Sequence, residues 1–211
     1  MKTGIFLTVE GIDGAGKSTH LDFIANEFSK RNLPFIVTRE PGGTELGEQF
    51  RQILLHEQMH ALTETILMFA ARNEHLINKI VPQLNNGVSV ICDRFTDATY
   101  AYQYGGKGVS SKDIKVLESL VHPYLKPNIT FIFDIDPKIA RSRISNEREL
   151  DKFEQEKQSF FIKVRDTYLN LAREEPSRFF IINSNQAIDL IQNELEDILN
   201  KVITNYAQMA Q

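Results

Sequence analysis

Nine consecutive residues, Gly11-Ile12-Asp13-Gly14-Ala15-Gly16-Lys17-Ser18-Thr19, fit G-x-x-x-x-G-K-[ST], a loop whose backbone N–H groups wrap phosphates. Glycines let the backbone turn tightly and approach an anion with no Cβ in the way. An ammonium at Lys17 reaches terminal phosphate oxygens, and the Ser18 hydroxyl suits Mg2+. The apolar run Gly4 to Glu10 precedes the loop, and Leu21, Ile24, Ala25 and Phe28 follow at helical spacing. Strand, loop and helix in that order aim the helix's positive end at the same phosphates.

Three further clusters carry chemistry. Thr38-Arg39-Glu40-Pro41-Gly42-Gly43-Thr44 follows a second strand-like run, and Arg39 suits a bidentate hold on a second phosphate. Asp93-Arg94 ends a third run: Asp93 suits a Mg2+ ligand, and Arg94 suits the charge of a transferring group. Asp134 competes for the metal by position, but it lacks the adjoining arginine and the Gly-rich segment that follows Asp93. Phe69 and Arg72 share a helical face, where a ring can stack on a base and a guanidinium can bond its carbonyl edge. Taken alone, Phe69 reads as core, and Cys92 reads as a small buried residue. Neither Asn-Lys pair, at Asn78 or Asn200, is followed by the x-Asp that would read guanine. The five histidines form no metal-ligand or triad pattern.

Short apolar runs alternating with longer amphipathic segments predict a parallel sheet covered by helices. Strands are expected at Gly4–Glu10, Phe35–Thr38, Val88–Cys92, Ile129–Ile135 and Phe179–Ile182. Helices are expected after the loop, over 44–58, over 61–84 as a long and mostly buried element, over 97–103, around Ile114–Val121, around Phe161–Leu171, and over 186–204. Gly105 to Gly108 reads as a mobile turn. Residues 138–158, dense in charge, read as a solvated hairpin or a lid. The chain reads as a single domain over 1–211. Its net charge of −4 argues against nucleic acid as a partner. One cysteine, no signal-peptide pattern and no apolar run near ~20 residues predict a cytoplasmic protein with no membrane span.

On Gly11–Thr19, Thr38–Thr44, Leu67-Met68-Phe69-Ala70-Ala71-Arg72, Asp93-Arg94-Phe95 with Ala101-Tyr102-Gln103, and Glu149-Leu150-Asp151, the chain resembles bacterial thymidylate kinases of the nucleoside monophosphate kinase class. The resemblance implies a P-loop α/β fold, with a five-stranded parallel sheet flanked by helices and a charged lid. It implies ATP as phosphoryl donor, Mg2+, dTMP as acceptor, dTDP as product, and a homodimer. Gly11 to Thr19 would hold ATP, with Lys17, Ser18 and Thr19 serving its phosphates and Mg2+. Asp13 would accept from the sugar 3′-hydroxyl, and Arg39 and Arg94 would hold the acceptor phosphate. Phe69 would stack on thymine, Arg72 and Gln103 would read its edge, and Tyr102 would press on C2′.

Three departures follow. Relatives often place the stacking Phe four residues before the Arg, where this chain has Met68. Ala98 stands where many have Ser, leaving Thr99 as the nearest hydroxyl. Some relatives carry an Arg in the loop, where this chain has Gly14, so the lid must supply it. Arg141, Arg143 and Arg148 are the candidates: Arg148 is favoured for transfer, and Arg143 is placed with ATP. Alternatives are a kinase for another nucleotide or deoxynucleoside, and a P-loop ATPase or nucleotide-binding regulatory module.

Overall fold

Five strands form one parallel sheet: β1 Phe6–Glu10, β2 Phe35–Arg39, β3 Ser89–Asp93, β4 Ile129–Asp134 and β5 Phe179–Asn183, in the order β2-β3-β1-β4-β5. The structure, a computed structural model, describes residues 3–144 and 151–209, with side chains described as far as 204. β1 is buried along its whole length. Leu7 and Val9 enter a core with Phe28, Phe131 and Val164, whereas Phe6 packs on Val90, Cys92 and Phe95 across the sheet. That two-sided burial is what parallel strands with helical crossovers require. Between β1 and β4 the buried hydroxyls of Thr8 and Thr130 satisfy each other at 2.8 Å. Because every strand runs the same way, Glu10, Arg39, Asp93 and Asp134 all emerge on one edge of the sheet.

The helices that cover the sheet are α1 Lys17–Lys30, α2 Glu45–His56, α3 Ala61–His75, α4 Val81–Asn85, α5 Thr96–Thr99, α6 Ser111–Val121, α7 Pro137–Arg143, α8 Gln158–Glu174 and α9 Ile188–Met209. Thr44, Ser110 and Asp136 cap α2, α6 and α7 through side-chain oxygens. The long element expected over 61–84 exists, but a π-helical turn at Leu76–Ile80 joins α3 to α4. Pro82 follows it, and a widened turn relieves the clash a proline makes with the carbonyl one turn back. Gly87, with φ 76°, ends the element as the sequence suggests. The element is not mostly buried: Leu62, Ile66, Ile77 and Val81 face outward.

The expected helix over 97–103 is α5 continued by a second π-helical turn, Tyr100–Gly106. Gly105 and Gly106 are therefore not a mobile turn but a contact with α8. A Cβ on Gly105 would lie 2.9 Å from Thr167 Cβ, and one on Gly106 would lie 2.3 Å from the Phe160 ring. In the charged stretch, α7 is followed by residues 145–150, outside the described set, and then by a turn that buries Lys152, Phe153 and Glu154. That turn corrects the solvated reading: Phe153 lies under the ammonium groups of Lys107 and Lys152, 4.6 and 5.3 Å from its ring centroid. Among the described residues no helix is long and apolar enough to cross a membrane.

Candidate active site

The loop between β1 and α1 has the conformation its glycines allow. Gly11, Gly14 and Gly16 adopt φ of 135°, 80° and 84°, and Gly16 caps α1 in the left-handed region. Position 14 is also closed sterically, since a Cβ there would stand 2.2 Å from the Ala140 carbonyl oxygen of α7. Lys17 folds its ammonium onto the loop, donating to the carbonyls of Gly11 at 3.1 Å and Ile12 at 3.3 Å. Burial, reinforced by Arg94, pushes its pKa down. Ser18 and Thr19 are exposed on the first turn of α1.

Arg94 is the pivot of the site. It is a non-glycine residue at φ 68°, a strained conformation that surrounding contacts must hold. Its Nη2 donates to Asp13 Oδ1 at 2.7 Å, and its guanidinium lies 4.8 Å from the Tyr102 ring centroid. Next in the chain, the Phe95 N–H donates to Glu10 Oε1, and Tyr168 donates to Glu10 Oε2, both at 2.7 Å. Burial, with Asp97 nearby, pushes the Glu10 carboxyl up to about 8. Asp13 goes the other way: burial opposes its charge, but Arg94 and Lys17 hold it well below the usual carboxylate range.

Beside Arg94 opens a cleft lined by residues that include Asp13, Arg51, Leu55, Met68, Arg72, Thr99, Tyr102, Gln103 and Phe153. Its few convergent polar groups among apolar side chains suit a small ligand. Arg72 is fixed on one side by Glu40, whose Oε2 accepts from Nε at 2.8 Å, and on the other by Thr99, whose Oγ1 accepts from Nη2 at 3.1 Å. His75 Nδ1 bonds the other oxygen of Glu40 at 3.0 Å, and its Nε2 bonds Thr38 Oγ1 at 2.7 Å. Arg72 Nη1 is buried with no hydrogen-bond partner among the described residues, a donor left for something in the cleft.

Several sequence expectations need correcting. Phe69 does not wall the cleft: it is buried behind Arg72, its ring stacked 6.2 Å from His122. One residue back is about 100° around a helix, and that rotation brings Met68 to the cleft instead. Arg39 is exposed, drawn outward to Glu48 at 2.9 Å, and Arg51 lines the cleft in its place while donating to the Pro41 carbonyl at 3.0 Å. Arg51 shares a helical face with Leu55, the one signal that could have found it. Asp134 is taken by Arg165, which donates Nε and Nη2 at 2.6 and 2.8 Å. Asp93 Oδ1, by contrast, is buried and unpartnered among the described residues. Arg143 donates to the Ser184 carbonyl at 3.1 Å and Arg141 to that of Glu154. Arg148 lies outside the described residues.

Comparison with known proteins bears on this site. The family model described as Thymidylate kinase matches residues 9–195. The chain is 53% identical to a thymidylate kinase of Janthinobacterium sp. (strain Marseille), covering 94% of this chain and 98% of that one. It is 48% identical to one from Methylobacillus flagellatus, at 94% and 98% coverage. A crystal structure of thymidylate kinase from Ehrlichia chaffeensis superposes with a TM-score of 0.76 at 34% identity, covering 94% of this chain and 99% of that one.

Glu10 makes stability depend on pH with a definite sign. Below its ordinary value of 4.5 both states hold the proton; from there to about 8 only the folded state does. Its contribution is therefore complete below that window and lost as pH rises through it, at up to about 1.4 kcal/mol per pH unit. Urea melts of wild type and Glu10→Gln should show the variant lacking that slope. Parallel pH profiles would refute the shifted carboxyl.

Proposed function

We propose, from the premise that this chain belongs to the thymidylate kinase family, that the cleft beside Arg94 is where dTMP accepts the γ-phosphoryl group of ATP. The chain is an ATP-dependent dTMP kinase, yielding dTDP and ADP. The observation that carries the placement is the cleft's polarity. Arg94 stands near the loop's Lys17, with Arg51 within electrostatic reach of Arg94, whereas Met68, Arg72, Thr99 and Gln103 line the cleft with groups suited to a base. That suits a molecule with a phosphate at one end and a base at the other.

In this reading Gly11–Thr19 cradle the ATP phosphates, with Lys17 on the terminal oxygens. Arg51 and Arg94 hold the acceptor phosphate, and Arg39 adds to the positive field. Asp13 and Tyr102 face the sugar, Met68 lies against the thymine ring, and Arg72 and Gln103 bond its edge. Mg2+ fits Ser18 and Asp93, because Asp93 keeps a buried, unpartnered oxygen. Bound there, the cation would neutralise phosphate charge.

No general base is required. A phosphate monoester with a second pKa near ~6 is already largely dianionic at neutral pH. Catalysis is then alignment of two anions and neutralisation of the charge between them. Thymine differs from uracil by one methyl, a difference of only ~1–3 kcal/mol in an apolar pocket, so dUMP should be a poor substrate rather than a rejected one.

We read the chain as a single kinase domain over 1–211 whose lid occupies about 138–158, and we place it in the cytoplasm, consistent with its lone, buried thiol at Cys92. Leu62, Ile66, Ile77 and Val81, exposed along one element, support a homodimer through that element. Sedimentation should find a dimer that Ile66→Glu weakens, and a monomeric wild type would refute it.

With Mg2+-ATP and a panel of nucleoside monophosphates, dTMP should show the highest kcat/KM, and chelation by EDTA should abolish turnover. Better turnover of another monophosphate would overturn the acceptor, and full activity in EDTA would overturn the metal. Arg148, which we assign to the transferring group, is tested separately. Arg148→Ala should lower kcat by roughly 10³-fold or more. An unchanged kcat would move the role to Arg141 or Arg143, or out of the lid.

A further inference from the structure

Glu64 lies in the first turn of α3 with its side chain fully buried. The mechanism above makes no use of it, yet three donors converge on its carboxylate. Gln103 Nε2 donates to Oε1 at 3.0 Å, and Oε2 receives the ammonium groups of Lys107 at 2.9 Å and Lys152 at 2.8 Å. Lys152 is itself pinned, donating Nζ to the Glu57 carbonyl at 2.9 Å and its backbone N–H to the Leu55 carbonyl at 3.1 Å. A side chain with this environment has little freedom to move.

A carboxylate paired with ammonium groups only accepts hydrogen bonds, whereas a carboxamide has one donor end and one acceptor end. Opposite Glu64, the Gln103 amide must turn its NH2 toward the carboxylate, since the reversed amide would set two acceptors against each other in a buried site. Gln103 is buried in the cleft wall, and among the described residues no group donates to its Oε1. The end left for a ligand is therefore the carbonyl.

The geometry points to Glu64 as a positioning residue that determines which class of base the site accepts. It fixes Gln103 as an acceptor, while Glu40 and Thr99 leave Arg72 Nη1 as a donor. Donor beside acceptor matches the O4 and N3–H of a thymine or uracil ring. Cytosine presents the opposite pair, an amino donor at C4 and an unprotonated acceptor at N3. The cleft would thus refuse 5-methyl-dCMP, which keeps the methyl group, on hydrogen bonding alone. The inference rests on the proposal that the base lies against Arg72 and Gln103.

The test compares kcat/KM for dTMP and 5-methyl-dCMP in wild type, Glu64→Gln, Glu64→Asp and Gln103→Ala. Wild type should favour dTMP by roughly 10⁴-fold, as sites built to bond a polar edge do. An amide at position 64 offers either end, so Gln103 can reverse, and the preference should fall by about tenfold or more. Glu64→Asp keeps the charge that both lysines need and retracts the oxygens from Gln103. It should fold even if Glu64→Gln does not, and it should move the preference the same way.

A ratio unchanged in these variants, or equal losses on both acceptors, would reduce Glu64 to a structural role. A Gln103→Ala enzyme with wild-type preference would instead remove Gln103 from base reading, and the inference with it. Failure of wild type to prefer dTMP would strike the acceptor assignment itself.

Discussion

The site depends on a backbone reversal at Arg94, and that reversal depends on Glu10. A non-glycine residue at φ 68° costs on the order of 1–3 kcal/mol and persists only where its surroundings over-determine it. Here the buried Glu10 carboxyl takes the next N–H in the chain, that of Phe95, and Tyr168 from α8 closes the second oxygen. The reversal turns the Arg94 guanidinium back over the sheet edge onto Asp13, tying the end of β3 to the phosphate loop. The phosphate loop and the cleft are thus coupled through one strained residue held from beneath.

Glu40 and Glu64 follow the same logic at the other end of the cleft. Each is a buried acid whose desolvation is offset by cations and hydrogen bonds. Replacing such an arrangement by apolar residues can be neutral, but deleting one partner strands a buried charge and is costly. Cost alone does not explain why polar groups stand here. Their effect is directional: Glu40, with Thr99, leaves the Arg72 Nη1 group free to donate, and Glu64 leaves the Gln103 carbonyl free to accept. A cleft lined only by apolar side chains could bind a pyrimidine but could not tell its edges apart.

What was legible in the sequence was local. The phosphate loop is contiguous, so its spacing names its chemistry, and strand-helix alternation implies the sheet and its active edge. What was not legible depends on rotation and on partners distant in sequence. Phe69 and Met68 are adjacent, and only the helix's packing on His122 and Phe95 decides which reaches the cleft. Arg39 has the better motif and Arg51 the better position, because Glu48 draws the former outward. Asp93 could be preferred to Asp134 from its neighbours in the chain, but the reason Asp134 is unavailable, its pairing with Arg165 on α8, could not be read there. Glu64 carries no motif, and its meaning lies in Gln103, Lys107 and Lys152, three residues from two other segments.

Gly14 shows how a backbone constraint reaches into mechanism. Its φ of 80° already disfavours other residues, and the Ala140 carbonyl oxygen, 2.2 Å from where a Cβ would stand, closes the remaining space. A side chain on the loop and α7 at its present distance exclude each other. Without a side chain, position 14 lets α7 pack directly on the loop, with Arg141 and Arg143 on the last turn of α7. Position 14 therefore cannot bring a cation of its own to the loop. The absence of an arginine at position 14 and the close seating of α7 are one feature, seen once in the sequence and once in the packing.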